Sequence, residues 1–504
     1  MHLSDIKNYE RCKRLLWLNY HQPKKMFPMV YFNENMMSLV KEYFHIGECF
    51  EGSVGDDTEK ALTAMKHYDT LINARFEHND LRIYIPLMRK AENGWDIYFT
   101  YALCFPREGQ AQKLADRLAV LKAYGIKIGE IAIIHLNSEY VREQYLDVQK
   151  LLVVTPYLYN KRNNGYHSAA KLIEKHQRDV FKLTKSVAKA LQTECFEANF
   201  SKRCTNPYRC PYYDDCFHEI AQDHDTSVLY LMQCAQKYDL YADGIHDMND
   251  IEPERLEGTR MQYAQLMAAR NNGFYMDAFA LNSWVKENIK YPLSYLDFEW
   301  ETFVFPPYDG MKPYDVLVFQ YSLHIEKEKG AKLQHEEFIG EGDCRIQFIE
   351  HLLKHIPKSG TILVYNMEGA EKLRLTQLGE QFPQYQPQLQ ALCERMADLS
   401  IPFGSGSIYD SRMHGYYSLK KLMEVFYQFD YHSMAISQGL QAAESWRLLQ
   451  EGRADKDKIR RELSEYCSMD TYSEYLILNK IYELLEQNQT SRLKAKRKEK
   501  LLTP

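Results

Sequence analysis

The chain has 504 residues, 45% hydrophobic and 26% charged, which suits a soluble globular protein; a single core rarely grows past about 250–300 residues, so two or three domains are expected. The net charge of −6 argues against nucleic-acid binding through global charge, but allows a local basic groove beside an acidic, metal-holding site. No stretch approaches the roughly 18 uninterrupted apolar residues of a membrane span, and the first residues lack the apolar core of a secretory signal, so a cytoplasmic location and no membrane partner are expected.

In chain order, residues 1–30 predict a helix with Leu3, Ile6, Leu15, Leu16 and Leu18 near one apolar stripe and Cys12 in its middle. Residues 34–76 read as mostly helical. Residues 80–105 read as two strands around an Ala-Glu-Asn-Gly turn, 109–124 as a helix and 128–136 as a buried strand. A helix at about 167–195 precedes a Cys-rich stretch, and 222–285 reads as a helical connector. A second α/β unit opens with the strand YLDFEW, followed by strand VLVFQYSLHI, helix CRIQFIEHLLKHI, strand TILVYN and helix GAEKLRLTQLGEQF. Helices then dominate to 487. The tail 491–500 carries six basic residues in ten, read as a solvated end or a contact to phosphates. The domains implied are 1–220, a connector 221–289, a C-terminal domain 290–487 and a basic tail 488–504.

Three acidic signals stand out in the C-terminal half. In YLDFEW, Asp297 and Glu299 are i and i+2 on a strand and share one face, which is costly without a cation and is the arrangement a two-metal phosphodiester site needs. Where strand TILVYN meets the next helix, Asn366 can cap the turn or contact substrate, and Glu371, or alternatively Glu368, can reach the same metals. In EYCSMD, Tyr466 and Asp470 are i and i+4 on a helix face, so the acid can complete the metal site and the hydroxyl can orient water. Taken singly, each reads as an ordinary strand, helix start or half-buried helix face. Together they come in a definite order.

That order resembles the DEDD superfamily of proofreading-type 3′→5′ exonucleases, in its tyrosine-bearing, DnaQ-like DEDDy subgroup, over roughly 290–485. The resemblance is sharper to an uncharacterised bacterial family carrying such a domain, through YLDFEWETFVFPPYDGMKPYD, LVFQYSLHI, ILVYN, MADL, GYYSLKKLM and YCSMDTYSEYLIL. It implies an RNase H-like fold and two Mg²⁺ or Mn²⁺ held by Asp297, Glu299, Glu371 and Asp470, with Tyr466 aligning water. The superfamily usually has Asp four residues after the Asn; here that position is Ala370, with Glu371 one further on. Asp398, Tyr417 and Lys420 are secondary candidates for substrate contact, and His324 reads as structural.

In the N-terminal half, Cys204, Cys210 and Cys216 are separated by five residues each, among prolines and aromatics, and Cys12 offers a fourth thiolate. Spacing alone leaves zinc and an iron–sulfur cluster open. One early and three late cysteines resemble RecB-like nucleases of the PD-(D/E)XK fold, including the CRISPR-associated kind, in which a 4Fe–4S cluster staples the domain's ends. The nuclease residues are missing: Pro86 stands where that fold expects Asp, Phe99 and Tyr101 where it expects Glu and Lys, and Arg117 where a Gln is usual. Asp96 reads as a strand-edge acid and Asp116 as a helix-surface one. Residues 1–220 therefore resemble an inactive nuclease-type domain that keeps its metal staple and can serve nucleic acid or a protein partner.

The expected function is a metal-dependent 3′→5′ exonuclease acting on single-stranded nucleic acid or a 3′ end, DNA favoured over RNA. The competing expectation is a non-catalytic nucleic-acid-binding or scaffold protein whose only metal site is the cysteine one.

Overall fold

The computed structural model describes residues 1–220 and 224–502, with side chains described through 490. It is a mixed α/β protein built on two main sheets. The first contains β1 (Phe50–Glu51), β2 (Thr70–His78), β3 (Leu81–Ala91), β4 (Gly94–Thr100), β5 (Ile128–Leu136) and β6 (Leu152–Thr155) in sequential order. β1 is parallel to β2 and β4 to β5; the other neighbours are antiparallel. A small hairpin, β7 (Tyr157–Tyr159) and β8 (Tyr166–Ser168), follows.

The β3–β4 hairpin, the helix Ala111–Ala123 and β5 lie where the sequence predicts them. Four expectations need correction, one of them the helix at about 167–195, which is two, Ala169–Lys175 and Val180–Gln192. Residues 1–30 are not one helix: Leu3–Arg11 and Lys13–His21 are separated by Cys12, whose backbone is extended. Residues 34–76 hold two short helices and then β2, whose good helix formers Ala74, Arg75 and Glu77 mask a strand burying Leu71, Ile72, Ala74 and Phe76. The span 222–285 is mostly turns and short helices, with only Arg260–Arg270 and Ala278–Asn288 reaching three turns. It also supplies β9 (Phe274–Met276), which pairs with a strand of the C-terminal half.

The second sheet contains β10 (Leu293–Thr302), β11 (Val316–Glu326), β12 (Gln334–Ile339), β13 (Ile362–Val364) and β14 (Met396–Asp398), ordered β12-β11-β10-β13-β14. β11 is antiparallel to both β10 and β12, whereas β10, β13 and β14 run parallel. β15 (Ile408–Asp410) is the partner of β9. β10 is central and covered on both faces. Leu296 and Phe298 enter a core with Phe348 and Leu352 of helix Arg345–His355, and alternation turns Asp297 and Glu299 to the opposite face. That face is crossed by the 47-residue helix Lys456–Leu502, whose buried stripe includes Leu463, Tyr466, Cys467, Asp470, Thr471, Glu474, Ile477, Leu478 and Ile481. The backbone of the basic tail continues this helix to 502, but the tail's side chains lie outside the described residues.

The two halves share a core. Tyr31 N donates to Thr302 O at 2.8 Å, and Val304 N donates back to Tyr31 O at 3.0 Å. Val304 and Phe305 are buried among Leu39, Val40 and Ile134 of the N-terminal half, about 1.5–3 kcal/mol for each side chain. Arg142 Nη1 donates to Pro306 O at 2.9 Å. Among the described residues no helix is long and apolar enough to cross a membrane.

Candidate metal centre

β10 brings Asp297 and Glu299 to one face, and the long helix adds Asp470; each offers a carboxylate oxygen within 4.8 Å of the others'. Among the described residues this is the one set of three metal-ligating side chains so close. They line a cleft of about 360 Å³ with Glu371, Tyr466, Ala370, Tyr365, Met29, Gly439 and Leu440. A β-bulge follows Glu299, so the strand changes register at the cleft. Gly439 opens a helix beside it; a Cβ there would lie 3.4 Å from Glu299 Oε2.

The second acid separates cleanly. Glu371 is 1% exposed; burial and then repulsion from Asp297 raise its proton affinity, while backbone amides, that of Phe298 among them, favour its ionised form. Glu368 is exposed and paired with Lys372 at 2.6 Å. Ala370 lines the cleft with no polar atom to offer.

One acid in the cluster is absent from the sequence reading. Glu474, one helical turn beyond Asp470, is 1% exposed and lies within electrostatic reach of Asp297, Glu371 and Asp470. The signal was legible: Tyr466, Asp470 and Glu474 recur every four residues, and Glu474 stands where the helix's buried stripe otherwise continues into Ile477 and Leu478.

Five carboxylates therefore converge, and burial together with their mutual repulsion holds Asp297, Glu299, Glu371 and Glu474 well above the usual carboxylate range. Burial raises Asp470 too. Among the described residues, buried oxygens of Asp470 (Oδ1), Glu371 (Oε2) and Glu474 (Oε2) have no hydrogen-bond partner. The Cys467 thiol donates to Asp297 Oδ2 at 3.4 Å. Lys420 faces Asp297, Glu299 and Asp470, and Arg374 lies within electrostatic reach of Glu371; Lys420 Nζ donates to the Tyr466 hydroxyl at 2.8 Å and to Ser437 O. Because Lys420 donates, the Tyr466 O–H is left to donate elsewhere, and it favours ionised Asp470. Glu301, two residues past Glu299, is instead neutralised by Arg447 in a buried pair.

The other candidates have different places. Asp398 spends both oxygens on backbone amides, accepting from Asn366 N and Met367 N at 3.0 Å and Ser400 N at 2.8 Å, so it fixes the turn before Glu371 instead of facing the cleft. Asn366 is exposed at the left-handed start of that turn, φ 66°. Tyr417 packs its ring against Gly404 and accepts the Tyr365 hydroxyl at its carbonyl. His324 bonds Thr471 Oγ1 at 2.8 Å and stacks on His335, and burial lowers it to about 4.

Cys12, Cys204, Cys210 and Cys216 line one cavity of about 290 Å³, with Arg11, Arg14, Leu15 and Tyr212. The interruption at Cys12 turns it toward the late cysteines, and Arg11 stitches the ends together by donating to Arg203 O at 3.0 Å and Tyr208 O at 2.6 Å. Burial pushes the Cys216 thiol up to about 11, opposed by Arg14. No three of these sulfurs lie within 4.8 Å of one another.

In the N-terminal sheet Phe99 is fully buried and Arg117 lies against it, 5.8 Å from its ring. Burial raises Tyr101 to about 12, and Arg117 opposes the rise. Asp96 accepts from Glu130 N at 2.8 Å across the sheet. Asp116 is buried, not on the surface as its sequence position suggested, and is gripped by Arg178 at 2.7 and 3.0 Å.

Residues 294–418 match a family model described as Domain of unknown function (DUF2779). The match spans Asp297, Glu299 and Glu371 and stops before Tyr466, Asp470 and Glu474. No curated protein and no solved structure matches the chain.

Proposed function

We propose that this chain is a metal-dependent 3′→5′ exonuclease acting on single-stranded nucleic acid or a 3′ end, DNA in preference to RNA. The observation that carries the reading is the set of buried carboxylate oxygens on Glu371, Asp470 and Glu474 left without any donor around Asp297 and Glu299. Buried acids are normally paired, as Glu301 is with Arg447; a cluster that is not is suited to cations. The β12-β11-β10-β13-β14 order, three antiparallel strands then two parallel, supports an RNase H-like fold with its acids on the central strand.

Asp297, Glu299, Glu371 and Asp470 would hold two Mg²⁺ or Mn²⁺, with Glu474 as a further carboxylate behind them. Bound there, such cations supply an activated water and stabilise the attacking and leaving oxygens. The chain's own part is positioning and proton handling. Lys420 fixes the Tyr466 hydroxyl, whose O–H can donate to the incoming water or to a phosphate oxygen. Gly439 leaves Glu299 Oε2 uncovered on that side, where a Cβ would touch it at 3.4 Å.

The N-terminal body fits an inactive PD-(D/E)XK-like domain whose Cys12, Cys204, Cys210 and Cys216 hold a 4Fe–4S cluster. Tetrahedral zinc at about 2.3 Å from each sulfur brings all four thiolates to about 3.8 Å of each other, whereas no three of these sulfurs lie within 4.8 Å of one another. A shared cavity of about 290 Å³ with wider-spaced sulfurs suits a polynuclear cluster better. The exonuclease reading is tested by Mn²⁺-dependent shortening of a 5′-labelled single strand, with Asp297→Ala as control.

A further inference from the structure

Arg75 on β2 and Tyr84 on β3 are directly opposite in the sheet register. The Arg75 guanidinium lies 4.8 Å from the Tyr84 ring centroid, and that of Arg117, from helix Ala111–Ala123, lies 4.7 Å from the same centroid. Two like charges thus share one aromatic ring. Other buried arginines each have a side-chain partner, Arg14 in Glu219, Arg345 in Asp343, Arg447 in Glu301 and Arg374 in Gln377, although Arg14 Nε and Arg374 Nε are themselves left over. Among the described residues Arg117, 8% exposed, has no hydrogen bond or ion pair, and Arg75 Nε is buried without a partner. The nearby acids are committed: Asp56, which feels Arg75, to Lys60 at 2.6 Å, and Glu77 to Arg82. Lys113, one turn before Arg117, adds a further positive charge, held down by burial and by Arg117 and Lys7. Guanidinium groups without a carboxylate partner, beside an open cavity, are placed to pair with an anion.

Tyr84 also walls an open cavity of about 620 Å³ with Phe32, Asn33, Met36, Asn73 and Thr100. The segment entering that cavity carries exposed Met26, Met29 and Phe32, and Met29 also lines the acidic cleft. One stretch of chain therefore joins the cationic site to the acids, with apolar side chains exposed along it. Alternating cations and flat or soft apolar groups suit a single strand, whose phosphates seek charge and whose bases seek surfaces to stack on.

We propose that Arg75, Tyr84 and Arg117 bind the phosphodiester backbone of a single-stranded nucleic acid, which runs over Phe32 and Met29 so that its 3′ end reaches the acidic cleft. This rests on the exonuclease reading for its direction only. The body that lacks nuclease residues thereby becomes the substrate-holding half of the enzyme.

The test is fluorescence anisotropy of a labelled oligothymidylate on the full-length protein in EDTA, where hydrolysis is off, alongside Mn²⁺-dependent hydrolysis of the p-nitrophenyl ester of thymidine monophosphate. Arg75→Gln/Arg117→Gln should weaken oligonucleotide binding by about tenfold or more and flatten its salt dependence by one to two phosphate contacts, while turnover of the small ester is unchanged. Unchanged affinity and salt slope in a folded double variant would overturn the proposal. Polyglutamate displacing the oligonucleotide at equal charge concentration would overturn it too, in favour of an acidic protein ligand. If the double variant fails to fold, photo-crosslinking of a 5-iodouracil oligonucleotide to the wild type decides. Adducts within 26–37 or 70–84 are expected, and adducts confined to the C-terminal half would contradict the proposal. Failure of the exonuclease reading alone looks different: neither substrate is cleaved, yet binding still depends on Arg75 and Arg117.

Discussion

Glu299 and Glu301 stand two residues apart on β10, both buried, yet Arg447 closes on Glu301 while no guanidinium reaches Glu299. Glu301 is a structural acid and Glu299 a site acid, and the two should respond oppositely to loss of charge. Glu301→Gln strands the buried Arg447 and should cost about 3–5 kcal/mol. Glu299→Gln relieves repulsion with Asp297 and Asp470, so the metal-free protein should melt higher while activity falls. Thermal melts of both variants in EDTA check this; a fall for both would remove the distinction.

Stability of the metal-free protein should depend on pH in a defined direction. Asp297, Glu299, Glu371 and Glu474 have folded-state proton affinities raised above the unfolded value of about 4. Groups raised in this way favour the fold fully below the unfolded value, and that contribution is lost as pH rises through the folded one. The melting temperature in EDTA should therefore fall from pH 5 towards pH 8, and Mn²⁺ should recover more of it at pH 8 than at pH 5. A Mn²⁺ shift independent of pH would mean that the ion binds elsewhere.

Glu474 and Glu371 are distinguishable from Glu368 by metal affinity. Glu371→Gln and Glu474→Gln should each weaken Mn²⁺ binding about tenfold to a hundredfold, read by calorimetry, whereas Glu368→Gln should leave it unchanged. An effect of Glu368→Gln equal to that of Glu371→Gln would reassign the second acid.

These residues also mark what the sequence could say. Asp297 with Glu299, and Tyr466 with Asp470, are spaced by the strand and helix periods, so their shared faces follow from spacing alone. The choice of Glu371 over Glu368 depends on a left-handed turn at Asn366 clamped by Asp398, a contact 32 residues away. β2 was masked by its helix-forming residues, since burial in a central strand overrides that preference. Arg75 and Arg117 are 42 residues apart and meet only because sheet pairing and helix packing bring both to Tyr84.

Lys420 acts on the acids through charge as well as through Tyr466. Lys420→Met removes the cation that lowers the proton affinity of Asp470, Glu299 and Asp297, so the acidic limb of the pH–rate profile should move to higher pH. Tyr466→Phe takes one hydrogen bond from Asp470 but leaves the cation in place, so it should lower turnover about a hundredfold and move that limb less far than Lys420→Met does. Identical profiles for the two variants would contradict separate roles.

The cysteine site is read by metal content. Anaerobically purified protein should carry about four iron and four sulfide per chain with visible absorbance, and Cys12→Ser should lose them along with several degrees of thermal stability. One zinc per chain and no iron would replace the cluster with a mononuclear site.

The most direct measurement is hydrolysis itself. A 5′-labelled single-stranded DNA, the same sequence as duplex and as RNA, and Mn²⁺ are incubated with the wild type and with Asp297→Ala. A ladder shortening stepwise from the 3′ end, fastest on single-stranded DNA and reduced about a thousandfold or more in the variant, roughly 4 kcal/mol of lost transition-state stabilisation, is the predicted result. A folded, Mn²⁺-binding wild type that leaves every substrate intact, or an Asp297→Ala protein that cleaves as fast as the wild type, would contradict it.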